Sequence, residues 1–226
     1  IEDVCESHGA TFKNKKLGCY GLMSNFSFYY AHHISTIEGG MICTNNKEIY
    51  EKLRMLRSHG MVRESTSNKL KKIYIKKYRD LNKDFIFAFE SYNLRNNEIG
   101  AIIGINQLLK LDQNIKKRNE NFKLFLNNIN KNKFRINYDL TGCSNYAFNL
   151  ILKKKDKKSL KKIIKNFKNE GVEYRLGSAG GGNQLRQPYL KNKFKKNYFL
   201  QFPEVEHIHF YGMYLGNYPS LSKSNI

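Results

Sequence analysis

Two kinds of apolar spacing take turns along this chain, and that alternation narrows its fold more than any other feature. The stretch NFSFYYA (25–31) alternates as a strand does, and GGMICTN (39–45) reads as a second strand entered through two glycines. The spacing then switches to a helical period in NNKEIYEKLRMLRSHG (45–60). There Ile49, Leu53 and Leu56 share a face, Asn46 is the N-cap and Gly60 the stop. A helical pair is predicted next, NNEIGAIIGINQLLKL (96–111) with Ile99, Ile102, Ile103 and Leu108, and NIKKRNENFKLFLNNI (114–129) with Ile115, Phe122, Leu126 and Ile129. Beyond it SNYAFNLILKK (144–154) reads as a strand, DKKSLKKIIKNFKNEG (156–171) as an amphipathic helix with Leu160, Ile163, Ile164 and Phe167 inward, and VEYRLG (172–177) as a short strand. Strands interleaved with helices predict an α/β fold, with one domain over residues 1–130 and a smaller α/β domain over 131–226. Residues 61–90 are polar and lysine-rich without a sustained period, which predicts a long excursion of the kind that reaches a site. No internal repeat is visible.

Composition removes several function classes. A chain of 226 residues with 40% hydrophobic and 13% aromatic residues can bury a real core, so extensive disorder is excluded. No apolar run is long enough to cross a membrane, and no signal-peptide pattern opens the chain. Cys5, Cys19, Cys43 and Cys143 are scattered without a C-x-x-C pair, which argues against a zinc knuckle or redox motif and suits a reducing cytoplasm. The formal net charge of +21 raises the possibility of a nucleic-acid or anionic-surface binder. The lysine runs (69–78 and 153–168) interleave lysine with apolar residues at helix or strand spacing, which is how a solvated face looks. No known nucleic-acid module is recognisable, and such a binder is the disfavoured reading. The same positive field would attract a nucleotide diphosphate. IEDVCESHGA reads as the end of a buried strand and GNYPSLSKSNI stops where another helix would fit, so the chain reads as a fragment.

The chemistry-bearing residues gather in a few places. Glu2 and Asp3 stand at the presumed end of a strand, where an open α/β sheet faces its ligand crevice. An aspartate there can hold a cationic ring nitrogen, and a strand-end carboxylate can equally cap a loop. In FSFYYAHHISTIEGG (26–40), Ser27 offers a hydroxyl to an anion, His32 and His33 offer two imidazoles, and Gly39 and Gly40 permit a tight turn. Asn93 can bind an anion or cap the next helix. The glycines 180–182 would let a loop lie against a ligand, with Arg175, Arg186 and Tyr189 around it, and an arginine fork suits a diphosphate. His207 and His209 would share a face at strand spacing, but no third metal ligand is evident, so no metal site is expected.

The segments EDVCESHGA (2–10), FSFYYAHHISTIEGGMICT (26–44), LRSHG (56–60), YNLRNNEI (92–99) and IGINQL (103–108), in that order, resemble the DegT/StrS-type sugar aminotransferase family. That resemblance covers nearly the whole chain. It implies an aspartate-aminotransferase-type (fold type I) enzyme using pyridoxal or pyridoxamine 5'-phosphate on nucleotide-linked 4-keto sugars. It also implies that the amino-terminal part of the large domain lies outside this chain. Most members carry a lysine six residues before the E-G-G glutamate; here that slot, six before Glu38, holds His32. The departure is similar to a histidine-bearing branch of 3-dehydratases that act on GDP-linked 4-keto-6-deoxymannose-like sugars in dideoxysugar and lipopolysaccharide O-antigen synthesis. A second histidine-bearing branch carries an iron–sulfur cluster on cysteines after the E-G-G; no cysteine lies between Cys43 and Cys143, which disfavours it. By position, the resemblance assigns Asp3 to the pyridinium nitrogen, Ser27 to the cofactor phosphate and Glu6 to the cofactor's surroundings. Asn93 is assigned to the phosphate of a neighbouring subunit, hence a homodimer with a shared active site. His59 and Arg63 are assigned to the sugar, and Arg175, Arg186 and Tyr189 to the nucleotide side.

The exchange of lysine for histidine has a physical rationale. An amine can tether the cofactor aldehyde as an imine, and imidazole cannot. An imidazole with an ordinary pKa near 6.5 can, however, take up and release a proton close to neutrality, whereas an amine near 10.4 needs a large downward shift to do so. The expected activity is therefore dehydration, with glutamate restoring the amine form of the cofactor. A sugar aminotransferase is the alternative.

Overall fold

The computed structural model describes residues 1–177 and 181–226. They form two compact units, Ile1–Leu111 and Asp112–Ile226. The division falls inside a helix, whereas the change in sequence character suggests residues 130 and 131.

In the first unit β1 (Glu2–Asp3) leads to a two-stranded ribbon of β2 (Thr11–Phe12) and β3 (Lys15–Lys16), then to β4 (Ser24–Ser27) and β5 (Gly40–Cys43). The main sheet has the order β1-β4-β5. β1 runs parallel to β4 with Asp3 opposite Asn25, and β4 runs antiparallel to β5 with Ser27 opposite Gly40. Of the strand expected over 25–31 only the first part is strand, since β4 ends at Ser27 and 28–31 leave the sheet, whereas the one expected over 39–45 is present as β5; the sheet is mixed. Since β1 and β4 run the same way, their carboxyl ends, Asp3 and Ser27, lie at the same edge of the sheet, the edge at which α/β sheets bind ligands.

Helix α1 (Lys47–Leu56) begins where expected, with Asn46 Oδ1 accepting from the Ile49 amide at 3.0 Å. Its buried positions are Glu51 and Met55, one turn apart; Ile49, Leu53 and Leu56 are half-buried. The expected excursion over 61–90 contains a second helix, α2 (Asn68–Lys77), capped by Ser67 through the Leu70 amide. None of its residues is buried, and Ile73 and Ile75 are exposed, so no core-facing stripe advertises it.

The predicted helical pair is one continuous helix, α3 (Glu98–Asn128). The polar Asp112-Gln113-Asn114 between the two patterns holds neither proline nor glycine, and nothing in it breaks the backbone ladder. The two halves differ in burial: Ile99, Ile102 and Leu108 are exposed among the described residues, whereas Phe122 and Phe125 are buried in the second unit's core.

In that second unit β6 (Ala147–Ile151) is followed by α4 (Lys157–Asn169), β7 (Tyr174–Leu176), α5 (Pro188–Lys191), α6 (Pro203–Tyr211) and β8 (Gly212–Gly216). The sheet is antiparallel in the order β6-β8-β7. Phe134, Phe148, Leu150, Leu152, Tyr211 and Met213 join Phe122 and Phe125 in one core. The predicted inward face of α4, Leu160, Ile163, Ile164 and Phe167, packs against it. His207 and His209 belong to helix α6 and not to a strand, so they do not share a face: two helical positions differ by about 200°. His207 Nε2 meets the Leu152 carbonyl at 2.5 Å, and His209 Nδ1 accepts from the Asn183 amide at 3.1 Å. Among the described residues no group of three or more His, Cys, Asp or Glu side chains could hold a metal ion, and no helix is long and apolar enough to cross a membrane.

Candidate active site

The two strand-end carboxylates hold different partners. Glu2 takes the amides of Gly18 (2.7 Å), Tyr20 (2.6 Å) and Gly21 (2.5 Å), tying down the loop that leads into β4. Those bonds, with Gly21 foremost, hold its pKa below the usual carboxylate value. Asp3 Oδ1 accepts from the Cys5 amide at 3.2 Å and from Asn25 Nδ2 at 3.1 Å, the latter reaching across from β4. The bonds to Cys5 first, then that to Asn25, lower its pKa, with a smaller contribution from the charge of His32. Asp3 is thus an exposed, pre-oriented anion at the edge of the sheet.

After β4 the chain makes a closed excursion and returns to β5. The Thr36 amide donates to the Phe28 carbonyl and the Phe28 amide to the Gly39 carbonyl, both at 2.9 Å. A side chain at Gly39 would run into Thr36 Oγ1 at 2.6 Å, and one at Gly40 would press the Phe26 carbonyl at 3.0 Å, so both glycines allow close approach. Helix α3 packs on the same excursion at Gly104, which leaves room for the Thr36 methyl, and Asn96, just before the helix, donates from Nδ2 to the carbonyl of Gly40 at the start of β5 at 3.1 Å. Within it, Ser27 Oγ accepts from the Tyr29 amide at 3.3 Å. The His32 ring lies edge-on to Tyr29 with centroids 5.6 Å apart, and its Nε2 is 3.8 Å from Glu6 Oε1. His32 is mostly enclosed, at 12% side-chain exposure, while Glu6 is 42% exposed. No lysine occurs between Lys16 and Lys47, so the excursion holds none.

His8 and His33, each 3% exposed, lie beneath this edge. Burial first, and then the charge of His32, push the His8 pKa down to about 4; the Cys5 backbone pulls the other way but lacks hydrogen-bond geometry. A buried histidine held below its unfolded value near 6.5 favours the folded state fully above that value, and the contribution disappears as pH falls towards 4. His8→Phe is therefore expected to remove an acid lability of at most about 3 kcal/mol between pH 6.5 and 4, measured as the pH dependence of the urea midpoint. An unchanged pH dependence in that window would contradict this.

A second group of expected residues gathers around Ser58. Ser58 and Asn93 form an isolated antiparallel bridge, and the His59 amide donates to the Tyr92 carbonyl at 2.8 Å. His59 itself is exposed, with a left-handed backbone at φ +59° that non-glycine residues seldom adopt. Arg63 sits on a 3-10 turn (Val62–Glu64), 5.0 Å over the Phe85 ring and 3.8 Å from Glu64. Asn93 does not cap α3; Asn97 does, accepting from the Gly100 amide at 2.9 Å. Two residues missed by sequence reasoning complete the group. Arg95 donates to Ser58 Oγ at 3.0 Å and reaches Glu64 at 3.8 Å. Glu51, 5% exposed, accepts from Ser65 Oγ (2.6 Å), the Thr66 amide (2.7 Å) and the Thr66 hydroxyl, anchoring the turn that carries Arg63. Burial pushes its pKa up, but these bonds outweigh it and hold the carboxyl at about 2. The N-x-R spacing after Asn93 was the available signal for Arg95; nothing in the sequence marks Glu51.

The remaining expected residues lie in the second unit. Arg175 is on β7, its guanidinium 3.8 Å from Glu173. Arg186 forms a fork with Glu206, at 2.8 and 3.1 Å from Nε and 2.5 Å from Nη2, and lies 4.0 Å over the Phe199 ring and 4.9 Å over Phe210. The fork that sequence reasoning assigned to a diphosphate is thus taken up by a carboxylate of the chain itself. The Glu206 pKa is lowered by Arg186 above all, and Asn183 also donates to it, at 2.8 Å. Tyr189 is exposed and donates to Gln184 at 2.9 Å. Of the glycine run, Gly181 and Gly182 have positive φ; Gly180 lies outside the described residues.

Comparison with known proteins places this geometry. Residues 1–226 match the DegT/DnrJ/EryC1/StrS aminotransferase family. GDP-4-keto-6-deoxy-D-mannose 3-dehydratase of Escherichia coli O55:H7 is 35% identical over 219 residues, 96% of this chain and 56% of that protein. UDP-4-amino-4,6-dideoxy-N-acetyl-beta-L-altrosamine transaminase of Campylobacter jejuni is 35% identical over 134 residues, 59% of this chain and 31% of that protein. A crystal structure of GDP-4-keto-6-deoxymannose-3-dehydratase with a trapped PLP-glutamate geminal diamine superposes with a TM-score of 0.82 at 31% identity, covering 97% of this chain and 56% of that one. The chain therefore spans just over half the length of the dehydratases it matches. The mixed α/β arrangement is that of the fold type I aminotransferase class, as the sequence led us to expect.

Proposed function

Because the chain belongs to the DegT/DnrJ/EryC1/StrS aminotransferase family, we propose that it is the portion of a nucleotide-sugar 3-dehydratase that carries the proton-transfer group. The substrate is a GDP-linked 4-keto-6-deoxyhexose, which loses its 3-hydroxyl on the way to a dideoxysugar of a surface lipopolysaccharide. The observation that carries this reading is His32, enclosed beside Glu6 at the edge of the sheet where Asp3 and Ser27 end their strands, in the slot that the family resemblance assigns to a lysine.

The residues present fit a pyridoxamine 5'-phosphate: Asp3 is a fixed anion suited to a protonated ring nitrogen, and Ser27 offers a hydroxyl to the phosphate. When bound, that group supplies an electron sink conjugated to the sugar's carbonyl carbon. Asp3 keeps the ring nitrogen protonated. His32 takes up a proton at Nε2 and returns it to the departing hydroxyl, which leaves as water. Glu6 holds the protonated ring in place between the two transfers. Asn93 is assigned to the phosphate of a second subunit in a homodimer, His59 and Arg63 to the sugar, and Arg175 and Tyr189 to the nucleotide. Glutamate would be the amino donor, leaving as 2-oxoglutarate, and the nitrogen it gives would leave as ammonia.

The protein expressed from its complete reading frame, given GDP-4-keto-6-deoxymannose and glutamate, is expected to release 2-oxoglutarate and ammonia in equal amounts with a 3-deoxy sugar, quantified by mass spectrometry. An amino sugar as the main product would favour the aminotransferase reading, which the similarity to the Campylobacter jejuni transaminase keeps in view.

A further inference from the structure

We propose that His8 is a positioning residue for His32, acting through His33. The inference rests on the reading of His32 as the proton-transfer group, but the test below reads only where its ring sits.

Two short segments, 6–8 and 32–33, meet at two points. Glu6 approaches His32 Nε2 at 3.8 Å, and His8 packs against His33 with ring centroids 5.8 Å apart and a tilt of 37°. The first contact is half-open to solvent and long, and a contact of that kind contributes only about 0–1 kcal/mol, beside the edge-on contact of His32 with Tyr29 at 5.6 Å. The second is buried. His8 sits among Phe26 (5.5 Å) and Phe28 (6.0 Å), the residues either side of Ser27, so its ring is seated against the strand that carries the expected phosphate ligand. The turn that presents Glu6 and His8 is closed by the Ser7 amide to the Val4 carbonyl and the Ala10 amide to the Ser7 carbonyl, both at 3.0 Å. That turn continues directly from Asp3. Packing His8 against His33 therefore locks the segment bearing Asp3 and Glu6 to the loop bearing His32. Neither ring nitrogen of His8 has hydrogen-bond geometry to any described residue, so what the ring provides here is shape.

The experiment measures carbethoxylation of each histidine by diethylpyrocarbonate and peptide mass spectrometry in the protein expressed from its complete reading frame. Exposed His59 is the reference, and the urea midpoint of the first unit reports whether that unit stays folded. His8→Ala is expected to raise the His32 rate relative to His59 by roughly fivefold or more, as the ring leaves its seat. His8→Phe, which keeps a planar ring of similar size, is expected to stay within about twofold of the unchanged protein. A His32 rate unmoved by His8→Ala, or moved equally by His8→Phe, would overturn the proposal. If the first unit of His8→Ala is unfolded by that measure, the comparison passes to His33→Ala, which removes the same contact from the other side and has to give the same rise.

Discussion

His32→Asn, in the protein expressed from its complete reading frame, is expected to lose about 10²- to 10⁴-fold in kcat for dehydration. Asparagine keeps a polar atom near the Nδ1 position but has none at Nε2, the atom that stands 3.8 Å from Glu6. It has no group that can take up a proton near neutrality and give it back. If His32 were only a packing residue against Tyr29, this substitution would cost little activity. Steady-state assay of 2-oxoglutarate release checks this, and a loss smaller than about tenfold would remove His32 from the reaction.

Gly60→Ala is expected to cost about 3 kcal/mol of stability in the first unit. Gly60 has φ +73°, and a methyl group there would lie 2.2 Å from the Phe89 carbonyl oxygen, a backbone atom with no easy way to yield. The residue is also held from both sides, its amide donating to Met55 and its carbonyl accepting from Ala88, so the turn cannot swing aside. Gly171→Ala provides the comparison. Gly171 has a similar φ of +66° but no neighbour within 4 Å of the added methyl, so only the left-handed backbone is penalised, at about 1 kcal/mol. Urea unfolding of both variants separates conformational strain from steric collision; equal shifts in midpoint would show that the Phe89 contact is not made. Because Gly60 follows His59 on the turn, the first variant also tests how firmly the expected sugar-binding residues are held.

What could be read from the sequence and what could not follows the range of the forces involved. Strand β4, helix α1 with its Asn46 cap, and the inward face of α4 are set by spacing and capping among neighbouring residues, and each lies where its pattern indicates. Helix α2 escapes because it buries nothing, so its hydrophobic pattern carries no information. Helix α3 reads as two because its apolar stripe weakens at Asp112-Gln113-Asn114, although no breaker stands there. The α6 assignment had a signal that went unused: Pro203 at the first turn, followed by Glu204 and Glu206, marks a helix start, and strand spacing of the two histidines misleads there.

The site divides in the same way. Asp3, Ser27 and His32 stand out as candidates because a strand end and a glycine-bounded loop are local features, while the roles assigned to them come from the family resemblance. That Glu2 takes three amides of the loop before β4 depends on where Gly18, Tyr20 and Gly21 fold back, which no spacing records. The burial of His8 and the capture of Arg186 by Glu206 are likewise contacts between residues distant in sequence.

The claim on which the account depends is that an imidazole occupies the place of a tethering amine. Its most direct test is borohydride reduction of the protein loaded with pyridoxal phosphate, followed by peptide mass spectrometry. The account predicts no stoichiometric pyridoxyl group on any lysine of the unchanged protein, and one on the peptide spanning 26–41 in the His32→Lys variant. A stoichiometric pyridoxyl-lysine in the unchanged protein would contradict it.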